Sequence, residues 1–294
     1  GVERCKKKDG ATYYRLSCVE ASSMAEKQLV CFEENIDPSA YVGMVCDVDT
    51  MEGVPNEKVK AIVPDENADI LPFVKRSKFD TKQLFDEISN MIHDPVVDPV
   101  LVRILDRALF SVPARVERFM RWPAAKSMHH AFVGGLIEHT HAMMKLAKVI
   151  VDNDPAAKDI NLGVLYCGIL MHDIGKVLTY ECPKPGMNSR SALDFLVGHI
   201  HLADELIIRA CIDEKIPTTK GAALHLRHCV VSHHGRKAWG SSVAPATREA
   251  MLLHQIDMMQ ARNEMVRSQL EGVEPNTAIK ASGLEDTQEL IRIS

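Results

Sequence analysis

Thirteen histidines stand in this 294-residue chain, and all of them lie after residue 90. Imidazole and carboxylate together are ligands for Mn, Fe, Zn or Ni, so the histidines that share an apolar face, and the acids beside them, are where chemistry would sit. His172-Asp173 lies in a strongly apolar stretch, with Leu165, Ile169, His172 and Lys176 on one helical face. A carboxylate there is costly unless it is paired or coordinates a metal. Two readings stand: Asp173 holds a metal while Lys176 meets a phosphate oxygen, or the two form a buried salt bridge at a helix end. His139 shares a stripe with Met143, Leu146 and Ile150, and His199 one with Phe195, Leu202 and Leu206. His233-His234 follows Val230-Val231 and precedes Gly235, so both rings can converge at a helix end, and Asp257 shares a face with Leu253 and Gln260. Singly, each could be a satisfied polar group in a core. The series H … HD … H … HH … D, each member on or at the end of its own helix, favours a metal centre. His141 is expected to be exposed, His201 lies on an adjacent face, and His225 and His228 fall outside the series.

The elements that must position these residues are helices, and they follow a β region. Residues 1–66 alternate as short strands, with Tyr14, Leu16 and Cys18 against Arg15 and Ser17, and further strands at 27–32, 44–48 and 58–63. Asp9-Gly10, Asp37-Pro38, Gly43, Gly53 and Pro55-Asn56 punctuate them. So many short strands in so few residues predict a small barrel, OB-like in kind. Residues 67–80 read as a linker carrying Lys75-Arg76-Ser77-Lys78, and 81–294 as helical. Thr81 is the expected N-cap of the first helix and Asp98-Pro99 opens the second. Further helices fit 133–151, 161–178, 192–213, 221–232 and 245–270. The fold class is therefore α+β: a β-barrel domain, then an all-α domain.

The order of these residues resembles the HD-domain metal-dependent phosphohydrolases, and the local wording is most similar to YhaM-type 3′-to-5′ exoribonucleases. The segments that carry the likeness are 123–130 (Pro-Ala-Ala-Lys-Ser-Met-His-His), 134–140 (Gly-Gly-Leu-Ile-Glu-His-Thr), 170–176 (Leu-Met-His-Asp-Ile-Gly-Lys), Gly198-His199-Ile200, Ser232-His233-His234-Gly235 with Trp239-Gly240-Ser241, and Leu253-His254-Gln255-Ile256-Asp257. The resemblance implies two divalent ions, Mn2+ first among Fe, Ni, Mg and Zn. His139, His172, Asp173 and Asp257 would hold one, and His199, His233 and His234 the other, with Asp173 bridging. Asp173 and Lys176 would be catalytic, Lys176 contacting phosphate or nucleophile, and a metal-activated hydroxide would attack the phosphodiester. His129 and His130 would contact substrate, or else cap and pack the ligand helix. Trp239 would stack on a base, or else anchor its loop.

Composition narrows the partners. A net charge of -5 argues against a broad basic surface for duplex nucleic acid. No Walker-type phosphate loop and no serine triad is readable. The eight cysteines have neither C-x-x-C nor zinc-finger spacing and read as reduced thiols of a cytoplasmic protein. No apolar run of membrane-span length and no signal-peptide core stands out. The chain begins at Gly1, so an N-terminal truncation is open, as is a homo-oligomer. The expected substrate is single-stranded RNA, with DNA also in range. Lys6-Lys7-Lys8, Tyr13, Tyr14, Phe32 and the 75–78 cluster are candidate contacts, while Glu33-Glu34, Asp37, Asp47, Asp49 and Glu52 make the β region acidic. Two other readings are a nucleotide or cyclic-dinucleotide phosphohydrolase, though without a Gly-Tyr-Pro signature, and a non-catalytic module related to the HD-like region of conjugative relaxases.

Overall fold

Alternation and helical period lead to two units in the structure of the protein, a computed structural model that describes every residue except 9–10, 24, 52–55, 127–128, 184–186 and 285–286. The turn residues Asp9-Gly10, Gly53 and Pro55, the acidic Glu52, and Ser127-Met128 of the 123–130 segment lie outside the described residues. One unit comprises Gly1–Lys75 and Pro183–Met187, the other Arg76–Cys182 and Asn188–Ser294.

The first unit is one sheet of β1 (Val2–Lys6), β2 (Thr12–Val19), β3 (Glu26–Cys31), β4 (Val45–Met51) and β5 (Glu57–Asp65). The strand order is β1-β2-β3-β5-β4, with β3 and β5 parallel and the other pairs antiparallel. The alternation of β2 holds, since Leu16 is buried with Leu29, Cys31 and Val59, and Tyr14, Cys18, Val48 and Ile62 pack against them. The expected closed barrel does not form. Among the described residues no ladder joins β1 to β4, and the sheet stays open. The edges explain this: β1 carries Glu3, Arg4 and Lys6 and buries none of its residues, while β4 carries Asp47 and Asp49 and is irregular between Asp49 and Thr50. Charged, irregular edges resist further pairing. The apolar face lines a cavity of about 450 Å³ bounded by residues such as Leu16, Leu29, Val48 and Phe73.

The second unit is built around α5 (Leu162–His172), in which every residue from Gly163 on is buried. A helix apolar on all sides belongs at the centre of a bundle. Against it pack α1 (Thr81–Ile92), α2 (Pro99–Leu105), α4 (Gly135–Asn153), α8 (His199–Asp213), α9 (Gly221–Ser232) and α10 (Arg248–Leu270). The remaining helices are α3 (Pro113–Arg121), α6 (Lys176–Thr179) and α7 (Ala192–Leu196), with two short hairpins, β6–β7 (Tyr180–Glu181, Ser189–Arg190) and β8–β9 (Ala278–Lys280, Glu289–Ile291). The window Leu162–Thr179 is apolar enough to cross a membrane by composition, although no such run is expected from the sequence; 89% of it is buried inside the protein.

Three helix boundaries differ from expectation. Asp80, not Thr81, caps α1, accepting from the Lys82 and Gln83 amides. The helix expected over 161–178 stops at His172, turns through Asp173–Gly175 and resumes as α6. The one expected over 192–213 breaks at Val197-Gly198, where Gly198 has φ +83°. Phe195 and His199 therefore sit on different helices and do not share a face.

Candidate metal centre

The stop at the end of α5 creates the site. His172 is the last residue of the buried central helix and Asp173 is its C-cap, so both are delivered to the middle of the bundle. Gly175 lets the returning chain pass against the His199 carbonyl, a spot where any Cβ would collide with backbone. His139 comes from the second turn of α4, Asp257 from α10, His199 from the first residue of α8, and His233-His234 from the end of α9.

These side chains converge. Asp173 Oδ1 lies 3.3 Å from His199 Nε2 and 3.9 Å from His233 Nε2, and its Oδ2 lies 3.3 Å from His172 Nε2. His139 Nε2 is 3.2 Å from Asp257 Oδ1. Potential ligand atoms of His139, His172 and Asp173 fall within 4.8 Å of one another, as do those of His199, His233 and His234. The His172 and His233 rings, 5.0 Å apart, join the two groups.

The outer ring nitrogens decide what the inner ones can do. Nδ1 of His172 faces the Ile169 carbonyl at 2.6 Å, that of His233 the Val230 carbonyl at 2.7 Å, and that of His234 the Trp239 carbonyl at 2.6 Å. His139 Nδ1 faces Gln260 Oε1. A ring nitrogen against a carbonyl oxygen must carry the proton, so in the neutral ring Nε2 is the lone pair pointing inward. Nε2 of His139, His172, His199 and His233, and Oδ1 of Asp173, are all buried without a hydrogen-bond partner. Buried polar atoms are ordinarily satisfied. Five orphans aimed into one spot fit a donor set for a metal cation.

Electrostatics agree with that use. Burial raises the Asp173 and Asp257 carboxyls, but the charged neighbours outweigh it. Lys176 and His172 hold Asp173 well below the usual carboxylate range, and the adjacent His139, with His172 nearby, does the same for Asp257. Burial depresses His233, helped by His234 and His172, and brings His199 down to about 3 against the pull of Asp173. Both acids are thus anionic and both rings neutral, the forms that bind metals. His172 is the exception: burial lowers its pKa, yet Asp173 raises it further, so a cation entering here displaces a proton.

The other expected site residues are placed as follows. Lys176 Nζ is buried and donates to Asp173 Oδ2 and to the Ala124 carbonyl, both at 2.6 Å. The metal and salt-bridge readings of Asp173 thus coexist in one carboxylate. His129 is half-buried, its ring 5.7 Å from that of His139. His130 is buried behind His139, its Nε2 accepting from Gln260 at 2.6 Å. Trp239 is half-buried, with Arg236 over its ring and its carbonyl on His234. His141 is not exposed but pairs with Glu87 at 2.7 Å. His225 and His228 lie apart, bonded to Thr247 and to the Ala246 amide.

Three supporting residues went unassigned in the sequence. Gln260 bridges His139 and His130. Asp194, buried and held by Arg190, puts Oδ1 4.0 Å from His199 Nδ1. His254 donates to the His233 carbonyl at 2.8 Å, its ring filling the space that Gly235, at φ +78°, leaves open. Gln260 was legible in principle, one turn beyond Asp257. Asp194 was not, because it reaches His199 only through the break before α8.

This helical bundle with paired His/Asp groups is an HD domain, whose family model matches residues 136–262. The chain belongs to the YhaM family. It is 33% identical to the 3′-5′ exoribonuclease YhaM of Bacillus subtilis over 241 residues, 81% of this chain and 73% of that protein. It is 31% identical to YhaM of Listeria welshimeri, over 83% of this chain and 75% of that one, and 30% identical to YhaM of Listeria monocytogenes over the same shares. No solved structure matches.

Proposed function

We propose that the protein is a metal-dependent phosphodiesterase that removes nucleotides from the 3′ end of single-stranded RNA, and DNA where it is offered. The observation that carries the metal part is the set of five buried, unpartnered ligand atoms on His139, His172, Asp173, His199 and His233. The direction and the RNA substrate rest on the likeness to 3′-5′ exoribonucleases at 30–33% identity.

In this reading His139, His172, Asp173 and Asp257 hold one divalent ion and His199, His233 and His234 the other, with Asp173 facing both. Two such ions supply Lewis-acid polarisation of the phosphodiester and acidify the attacking water. The chain's own groups prepare the site. Lys176 keeps Asp173 ionised, the backbone carbonyls of Ile169, Val230 and Trp239 orient three rings, and Gln260 orients a fourth. Lys176 spends two of its three N–H donors on Asp173 and Ala124, which leaves the third for a phosphate oxygen. His129 and Trp239 line the approach to the substrate, and His130 acts through Gln260 on His139. Mn2+ is the preferred ion; the imidazole and carboxylate set also suits Fe, Ni and Zn.

Residues 1–66 form the strand-binding module, 67–80 the connection and 81–294 the hydrolytic domain. An OB-like reading of the first is supported by its five strands, their order and the parallel β3–β5 pair, with a partly open barrel as the relevant form. On β2 and just past β3, Tyr13 and Phe32 stack at 5.3 Å, with Lys7 4.5 Å over Phe32 and Arg15 beside Tyr13. Aromatic and cationic side chains in this combination suit a single strand. The eight cysteines are thiols rather than disulfides, in keeping with a reducing cytoplasm.

The test is to strip the protein of metal, return Mn2+, and offer 3′- and 5′-labelled single-stranded RNA and DNA, cyclic dinucleotides and dNTPs. Stepwise shortening from the 3′ end is expected. Turnover of small nucleotides alone would move the substrate to that class, and inactivity in every metal-loaded form would make the protein a binding module.

A further inference from the structure

We propose that Phe195, with Arg190 laid against it, is a nucleobase platform on the His199 side of the metal centre, taking the base of a nucleotide next to the scissile phosphate. The proposal rests on the single-stranded RNA reading and gives that substrate a place beside the chemistry.

Phe195 is 69% exposed and Leu196, which follows it, 84%. This exposure does not come from a frayed end. Ser191 caps α7, accepting from the Asp194 amide, and its own amide bonds the Thr179 carbonyl at 2.9 Å. The left-handed Gly198 then turns the chain, so that the ring is carried outside while His199 faces inward. Leu193 and Val197 are exposed with Phe195 and Leu196, and a run of exposed apolar side chains of this kind marks an interaction site.

Two features of its surroundings point to a base. The Arg190 guanidinium lies 4.6 Å from the Phe195 ring centroid, and the same arginine donates through Nε to the buried Asp194. Asp194 in turn faces His199 Nδ1 at 4.0 Å, with Oδ1 lacking any hydrogen-bond partner. The aromatic–guanidinium pair therefore lies one carboxylate away from a metal-group histidine. The pattern recurs at His234 of the same group. Arg236 lies 4.6 Å from the Trp239 ring, and Trp239 holds His234 through its carbonyl. The His199 and His234 rings are 5.4 Å apart. Two members of the second histidine group thus each have an arginine–aromatic pair at one remove. Stacking on such a pair accepts any base, because every base has a π-face, and an enzyme that removes residues one after another needs that tolerance.

The experiment compares wild type, Phe195→Ala and Phe195→Trp in Mn2+ on the trinucleotide ApApA and on bis-p-nitrophenyl phosphate, a diester without a base. Binding of fluorescent ApApA to each protein is also measured in chelator. For Phe195→Ala the kcat/KM ratio of ApApA to the baseless diester should fall about ten-fold, mostly through KM, with a matching loss of binding in chelator, as removal of one stacking ring predicts. Phe195→Trp should restore both. An unchanged ratio and unchanged binding in Phe195→Ala would overturn the platform, as would a change of oligomeric state without a change of ratio, which would give the patch to a second copy of the chain. If wild type shortens RNA and the ratio does not move, the platform alone fails. If wild type neither binds nor shortens RNA, the substrate reading fails and takes the platform with it.

Discussion

Removing the Asp173 carboxylate should cost folding stability as well as metal, and the size of that cost follows from Lys176. The ammonium and the carboxylate are 9% and 6% exposed and 2.6 Å apart. In Asp173→Ala the buried ammonium keeps only the Ala124 carbonyl as a hydrogen-bond partner. Breaking a buried pair on one side costs about 3–5 kcal/mol, whereas replacing both members by neutral groups of similar volume is often neutral or better. With a urea slope of about 2–3 kcal/mol/M, the midpoint of metal-stripped Asp173→Ala should fall by roughly 1–2 M. The double variant Asp173→Asn/Lys176→Met should return close to wild type in chelator while binding no metal. Wild type should gain about 2.7 kcal/mol when the ion is supplied at a hundred times its dissociation constant, and neither Asp173 variant should gain anything. Urea unfolding of wild type, Asp173→Asn, Lys176→Met and their double, with and without chelator, gives the coupling as a double-mutant cycle, and Asp173→Ala is unfolded beside them. If the single-variant costs simply add in the double, or if Asp173→Ala unfolds at the wild-type midpoint, the pair is not an energetic unit. If Asp173→Ala still takes up metal, the ligand assignment is wrong.

Other outcomes follow from the same geometry. Gln260→Leu removes the acceptor that orients His139 and should weaken metal binding about 10- to 100-fold by titration calorimetry; Gln260→Glu keeps an acceptor and should recover most of the loss. Burial brings His129 down to about 4 and His130 and His199 to about 3. Their folded values lie below the unfolded value of about 6.5, so the unfolded chain takes up protons first as pH falls. The stabilisation they confer is complete above pH ~6.5 and is lost on the way down towards pH ~3. Metal-stripped protein should therefore show a urea midpoint that declines from pH 7 to 4.5, and a flat profile would contradict the assigned burial. Gly175→Ala presses a methyl group onto the His199 backbone and should destabilise by about 1–3 kcal/mol while weakening metal binding, read by thermal melting and calorimetry. Asp80→Ala should cost about 1 kcal/mol and Thr81→Val no cap energy, a comparison that settles which residue caps α1.

Much of the site was legible because its chemistry is written in residue type and order. An Asp after a His in an apolar run has few inexpensive uses, helical period put His139 and Asp257 on apolar faces, and the Gly235 that follows the 233–234 pair put it at a helix end. The alternation of β2 and the proline-started α2 were readable for the same reason: local sterics and burial act within a few residues. Period could not reveal where helices stop. The break before His199, which sends Phe195 outward and brings Asp194 under the ring, depends on a left-handed glycine and on packing against distant elements. The open edge of the sheet was equally hidden, since closure is a relation between β1 and β4, more than thirty residues apart. So the amino-acid sequence by itself determined which side chains are fit to hold a metal. Only the tertiary structure decided how those side chains meet: the carbonyls that turn His172 and His233 lie three residues back along the chain, but Gln260 turns His139 from another helix, and the groups converge only through packing.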